Sequence, residues 1–299
     1  MKKVQLSELL YIVFTLIVSA SFLYSYYRIN TLTKETETLA TNITSLETKL
    51  ATTTAKLEQN LATSYNNLTN LLNEQKVNVA EKLGNYEQQF GNISGTVNTL
   101  QKLSKTDPEL LQKYSKVFFL NEYYAPARLE EVTSEYKYSN TRTVKLHADV
   151  WPYMKRMLDD AKNNGITMYV HSGYRSFNEQ QAIKGGYKVS YGAGTANQFS
   201  ADQGYSEHQL GTAVDLITTG MNGDLDGFDK TSSYNWLLAN AYRYGFIISY
   251  PKDNKFYVFE PWHWRFVGVK LATDLHNQGQ NFYDLDQRKI DEYLVTVFE

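Results

Sequence analysis

Nineteen residues without a formal charge, 9 to 27, lie between Glu8 and Arg28. No other feature constrains this chain as tightly. At about 1.5 Å per residue such a run, wound as a helix, spans roughly 30 Å, the thickness of the hydrocarbon core of a bilayer. It is therefore expected to be a single transmembrane helix. Tyr24, Tyr26 and Tyr27 suit the far interface, and Lys2 and Lys3 favour a cytoplasmic N-terminus against the opposing Arg28 and Lys34. A cleaved signal peptide is the competing reading, but the run is long and no small-x-small site closes it. The expectation is a retained anchor: 1–8 cytoplasmic, 9–27 in the cell membrane, and everything after Arg28 outside the cytoplasm.

From about 30 to 105 the apolar residues alternate at spacings of four and three: Leu39, Ile43, Leu46, Leu50, and later Val79, Leu83, Tyr86, Phe90, Ile93, Val97, Leu100. This is the seam of a coiled coil. The register shifts between Leu57 and Leu72, which interrupts the seam. Thr fills 12 of the 40 positions from 31 to 70, and β-branched side chains lower helix propensity. A homo-oligomeric coiled coil and a loose, weakly helical stalk therefore both fit residues 28–105. Sequons at Asn42, Asn67 and Asn92 arise readily in so Asn- and Thr-rich a segment and carry little weight.

Beyond "KTDPELLQKYS", where Asp107 and Pro108 suit a helix start, the pattern changes. Residues 147 to 165 read as an amphipathic helix stopped by Asn-Asn-Gly, "ITMYVHSG" as a strand and "SFNEQQAIKGG" as a short helix opened by Ser176. A loop is expected over roughly 185 to 204, a strand at "TAVDLIT" and a helix at "SSYNWLLANAYRYG". "FIISY" and "KFYVFE" read as a hairpin turning at Pro251 to Asn254, and "DLDQRKIDEYLVTVFE" as a packing helix. The sum for 106–299 is an α+β domain with a small, mostly antiparallel sheet and flanking helices.

The net charge of −2 provides no basic stripe for phosphates, which argues against a nucleic-acid partner. The absence of Cys removes disulfides, thiolate nucleophiles and Cys-rich metal sites together. Any metal site must use His and carboxylates. His208 precedes Asp215 by seven residues, and Asp215 enters an apolar strand, where an ionised carboxylate is costly unless paired or metal-bound. If His208, Asp215 and His263 converge, they form a three-ligand set that leaves zinc a fourth position for water. Glu260, three residues before His263 on an expected extended segment, would stand beside that water as a base, while Trp262 and Trp264 anchor the strand on its other face. His147 and His276, near helix ends, read as structural, as does His171. Glu207 is expected to face away from the site, and Arg265 to share the face of His263. Asn222, Asp224 and Asp226 read as a solvated turn, since the Glu that closes a calcium loop is missing.

"SGYRSFNEQ" (172 to 180), "SEHQLGTAVDL" (206 to 216) and "EPWHWRFVG" (260 to 268), in that order, resemble the three signatures of the VanY-type D-Ala-D-Ala carboxypeptidase family. That family sits in the group of zinc peptidases that includes lysostaphin and the hedgehog fold. The resemblance covers about 115 to 278. It implies a hedgehog/D-Ala-D-Ala-peptidase-like fold, zinc (Zn2+) on His208, Asp215 and His263, and Glu260 as catalytic base. It implies that Arg175 and Gln180 hold substrate carbonyl or carboxylate groups and that Ser206 helps position the peptide. The expected function is a membrane-anchored zinc D,D-carboxypeptidase acting on peptidoglycan stem peptides. The alternatives are an L,D-carboxypeptidase, a peptidoglycan endopeptidase, or a stalked wall-binding module that keeps zinc without chemistry.

Overall fold

The computed structural model describes residues 6–115, 117–191 and 201–299. Lys2, Lys3 and the middle of the loop expected at 185 to 204 lie outside them. The chain divides into two units, Met1–Gly91 and Asn92–Glu299.

The first unit is helical. Helix α1 (Leu6–Lys105) carries one stretch long and apolar enough to cross a membrane. Its Thr-rich part is helical too, because the hydroxyls that would otherwise compete with the backbone close back onto it. Thr36, Thr41, Thr44 and Thr48 each donate to the carbonyl four residues earlier at 2.7–3.0 Å. The heptad residues Leu39, Ile43, Leu46 and Leu50 are all exposed.

In the second unit, α1 ends at Lys105 and Asp107 caps a short 3-10 turn, Pro108–Leu111, by accepting from the Glu109 amide at 2.9 Å. Strands β1 (Leu129–Glu131) and β2 (Lys145–His147) form a small antiparallel pair. Helix α2 (Trp151–Asn163) follows, then β3 (Met168–Ser172), α3 (Phe177–Tyr191), β4 (Ala213–Thr218), α4 (Ser232–Asn240), β5 (Phe246–Ile248), β6 (His263–Phe266), α5 (Val269–Gln278) and the short α6 (Gln287–Asp291). The main sheet has the order β3-β4-β6-β5, with every neighbour antiparallel.

Alternation along the strands separates core from chemistry. Val214, Leu216, Trp264 and Phe266 pack into the core with Trp151, Met154, Met157, Leu158 and Ala161 of α2. Each large side chain removed from water there contributes roughly 1.5–3 kcal/mol. Asp215, His263 and Arg265 point to the other face.

Four expectations are corrected. His147 ends β2 instead of opening a helix; α2 starts at Trp151, with Pro152 in its first turn. Helix α3 continues through Gly185 and Gly186 to Tyr191, tied down by buried Lys184, whose ammonium lies 3.4 Å from Asp202. "KFYVFE" is not a strand: the Asn254 side chain accepts from the amides of Phe256 and Tyr257 at 2.8 and 2.9 Å, and this local turn diverts the backbone from pairing. Strand β5 instead pairs with β6. The C-terminal segment packs as short 3-10 turns around α6, not as one helix.

Candidate active site

Strand register assembles the site. Asp215 sits opposite His263 across β4 and β6, and Ser172 opposite Asp215 across β3 and β4, where a bulge at His171 shifts the pairing. His208 arrives from a 3-10 turn, Glu207–Leu210, which Gly211 closes in the left-handed region at φ 70°, a conformation open to glycine. The potential ligand atoms of His208, Asp215 and His263, all buried, lie within 4.8 Å of one another.

Each imidazole has its far nitrogen occupied. His208 Nδ1 faces the Gly173 carbonyl at 2.8 Å, and a carbonyl only accepts, so that nitrogen carries the proton. Nε2 of His208 then turns its lone pair toward Asp215 Oδ2, 3.3 Å away. His263 Nε2 faces Glu207 Oε2 at 2.9 Å, and Nδ1 faces Asp215 Oδ1 at 3.2 Å. Tyr250 stacks on the His263 ring at 4.2 Å, 8° from parallel. Ser172 donates to Asp215 Oδ2, and the Arg175 guanidinium lies 3.7 Å from the same oxygen.

Electrostatics follow from this packing. Burial opposes charge on Asp215, but His208, His263 and Arg175 outweigh it and hold the carboxyl well below its ordinary range. Burial, with Arg175 nearby, lowers His208 to about 4. Burial would lower His263 as well, yet Asp215 and Glu207 raise it to about 9. Two imidazoles and one carboxylate converging on a point, with the outer nitrogens tied by acceptors, is a donor set that fits zinc.

Glu260 reaches the site through a turn, not along an extended strand as expected. Pro261 follows it, and the His263 amide donates to the Glu260 carbonyl at 3.1 Å, which folds the carboxylate back to 3.9 Å from His263 Nδ1. Its side chain keeps 17% exposure, but the loss of solvent around it pushes it up to about 7. Arg175, Gln180, Ser206, Tyr250 and Glu260 line one cavity of about 90 Å³ with the three potential ligands. Arg175 Nε is buried without a hydrogen-bond partner among the described residues. Gln180 Nε2 donates to the Ala201 carbonyl at 2.8 Å. All seven expected site residues thus meet at one place.

Trp264 is in the core as expected, whereas Trp262 sits in the turn, partly buried against that core. His147 stacks on Phe298 and His276 on Tyr242, away from this cavity, and His171 packs beside Tyr138. The calcium-like segment is a plain exposed turn, in which Asp224 accepts from the Asp226 amide at 3.0 Å. Glu207 faces away from the cavity, as expected, but not through strand alternation: the segment is a 3-10 turn, and Glu207 is wholly buried behind His263. Burial opposes its charge, but Arg265 and His263 bring it down to about 2. Arg265, Tyr283 and Tyr250 join it there, and only Arg265 carried a signal in the sequence, its spacing of two from His263.

Residues 143–269 match the family model of VanY, D-alanyl-D-alanine carboxypeptidase. YodJ of Bacillus subtilis, named as a carboxypeptidase, is 34% identical over 212 residues, covering 67% of this chain and 77% of its own. A D-alanyl-D-alanine carboxypeptidase of Enterococcus faecalis is 37% identical over 142 residues, 43% of this chain and 50% of that one. Among solved structures, the LD-carboxypeptidase LdcB aligns with a TM-score of 0.54 at 32% identity, over 59% of this chain and 86% of its own. The vancomycin-resistance D,D-pentapeptidase VanY, from a VanB-type cassette and in complex with Zn(II), aligns with a TM-score of 0.50 at 29% identity, over 58% and 97%. Sequence, fold and site agree: the chain belongs to the VanY-type D-alanyl-D-alanine carboxypeptidase family.

Proposed function

We propose that this chain is a membrane-anchored zinc carboxypeptidase that removes the terminal D-Ala from peptidoglycan stem peptides. The observation that carries the reading is the convergence of His208, Asp215 and His263 on one cavity that Glu260 and Arg175 also line. His208, Asp215 and His263 would hold the metal. Zinc bound there supplies Lewis acidity, which polarises the scissile carbonyl and acidifies water.

The rest of the work falls to side chains. Glu260, raised to about 7, is matched to accept a proton from the attacking water near neutral pH and to deliver it to the amine of the departing alanine. One C–N bond breaks, one C–O bond forms, and the carboxyl group returns to its starting state. Arg175, whose buried Nε has no partner among the described residues, grips the terminal carboxylate or the developing oxyanion. Gln180 and Ser206, in the same wall, position the peptide. The apolar stretch of α1 anchors the chain in the membrane, with the site on the extracytoplasmic side, and the exposed heptad seam offers a surface for self-association.

The likeness to LdcB supports a second reading, an L,D-carboxypeptidase acting on tetrapeptide stems. Mass spectrometry of pentapeptide, tetrapeptide and cross-linked muropeptides after incubation with the zinc-loaded protein separates the two. Loss of one alanine from the pentapeptide alone supports the D,D reading, and loss from the tetrapeptide moves it to L,D. Cleavage of cross-links makes the protein an endopeptidase, and zinc uptake with no product overturns the catalytic reading in favour of a binding module. Glu260→Gln is expected to lower turnover by about 10²–10⁴-fold while the metal content stays at the wild-type level; native turnover in that variant would sink the role given to Glu260.

A further inference from the structure

Behind His263, on the side away from the cavity, one carboxylate collects four donors. Glu207 Oε2 faces His263 Nε2 at 2.9 Å, while Oε1 accepts from Ser249 Oγ at 2.8 Å, Arg265 Nη1 at 2.8 Å and the Tyr283 hydroxyl at 2.7 Å. Glu207 and Arg265 are both fully buried. An ion pair this deep is expensive to desolvate, and well-packed apolar residues of the same volume are often at least as stable. Stability alone is therefore a poor reason for placing it there.

The imidazole gives a better one. His263 has two nitrogens, and only Nδ1 faces Asp215 and the cavity. A carboxylate against Nε2 accepts from it and so keeps the proton on that nitrogen, leaving Nδ1 free as a donor to a metal. Arg265 sets the carboxylate in turn. Its Nη2 donates to the carbonyls of Leu110 and Gln112 at 2.8 and 2.9 Å, and its guanidinium lies 4.7 Å from the centre of the Phe282 ring. Tyr250, nearly parallel to the imidazole, limits its rotation.

We infer that Glu207 is a positioning residue: through Nε2 it fixes the tautomer and the ring plane of His263, and Arg265 and Tyr283 hold Glu207 in place to do so. The inference rests on the zinc reading of the site, yet it concerns metal affinity and histidine geometry, which are measurable without turnover. It is tested on the full chain with Glu207→Gln and with the double variant Glu207→Leu/Arg265→Met, which leaves no unpaired buried charge. The melting temperature of the zinc-free protein, the zinc affinity by competition with a chromophoric chelator, and the 15N resonances of the His263 ring are read for each.

Glu207→Gln is expected to bind zinc about 10–100-fold more weakly. The double variant should recover the zinc-free melting temperature but not the affinity, and in the zinc-loaded protein its His263 ring should lose the single Nε2–H signature of the wild type. Wild-type affinity in either folded variant overturns the inference, because the pair would then serve only to fill the fold. If zinc binding weakens as expected while the wild type cleaves no muropeptide, the positioning role stands and the proposed reaction falls. If the wild type cleaves muropeptides and both variants bind zinc like the wild type, the positioning role falls alone. A wild-type chain that takes up no zinc overturns both.

Discussion

At the scale of single residues, the site depends on backbone groups as much as on its named side chains. Gly173 supplies the carbonyl that holds His208 Nδ1, and a Cβ built on it would stand 2.4 Å from the Lys145 carbonyl. Gly173→Ala therefore forces β2 and the end of β3 apart. It is expected to destabilise the fold by about 1–3 kcal/mol and to weaken zinc binding at the same time, checked by thermal melting and zinc titration on one preparation. Unchanged affinity in the destabilised protein would mean that His208 does not need this acceptor. Glycine at 173 was visible in the sequence only as part of a motif, because its reason lies in a strand nearly thirty residues earlier. The contact of Glu207 with His263 is hidden for the opposite reason: its sequence neighbours are close at hand, but the local period is three and not two.

At the scale of elements, local chemistry was a good guide wherever it was self-contained. Helix α3 opens with a reciprocal cap, in which the Ser176 amide donates to Glu179 at 2.7 Å and the Glu179 amide to Ser176 Oγ at 3.3 Å, at the Ser176 start expected from the sequence. Ser176→Ala should cost about 1 kcal/mol and, since α3 carries Gln180 into the cavity wall, raise KM more than it lowers kcat in muropeptide assays. A drop confined to kcat would place the effect elsewhere. Strands β3 and β4, helix α2 and the turn at Gly245 were legible for the same reason, each having its period or stop signal within its own residues. The segment 255 to 260 was not. Its aromatic, β-prone composition suits a strand, but Asn254 takes its amides and Tyr257 hydrogen-bonds the Tyr205 and Tyr114 carbonyls. Distant partners decided that segment.

At the scale of the whole molecule, the two units make separate demands. The full chain is expected to stay with the membrane fraction after a high-salt wash, and a variant lacking residues up to Arg28 to leave it; release of the full chain by salt alone would reduce the anchor to a surface association. Removing zinc with a chelator should lower the melting temperature of the second unit by roughly 5–10 °C relative to protein held at about a hundredfold excess over Kd, read by calorimetry. An unchanged midpoint would mean that the cradle does not take the metal. The brace behind His263 has a further consequence. Its partners are contributed by residues 110, 112, 249, 265 and 283, so Glu207, which faces the imidazole, gets its last hydroxyl donor from Tyr283. A polypeptide emerging N-terminus first presents His208 and Asp215 long before that donor exists. Contacts so far apart in sequence form late, so the carboxylate behind His263 is fully held only once residue 283 has emerged.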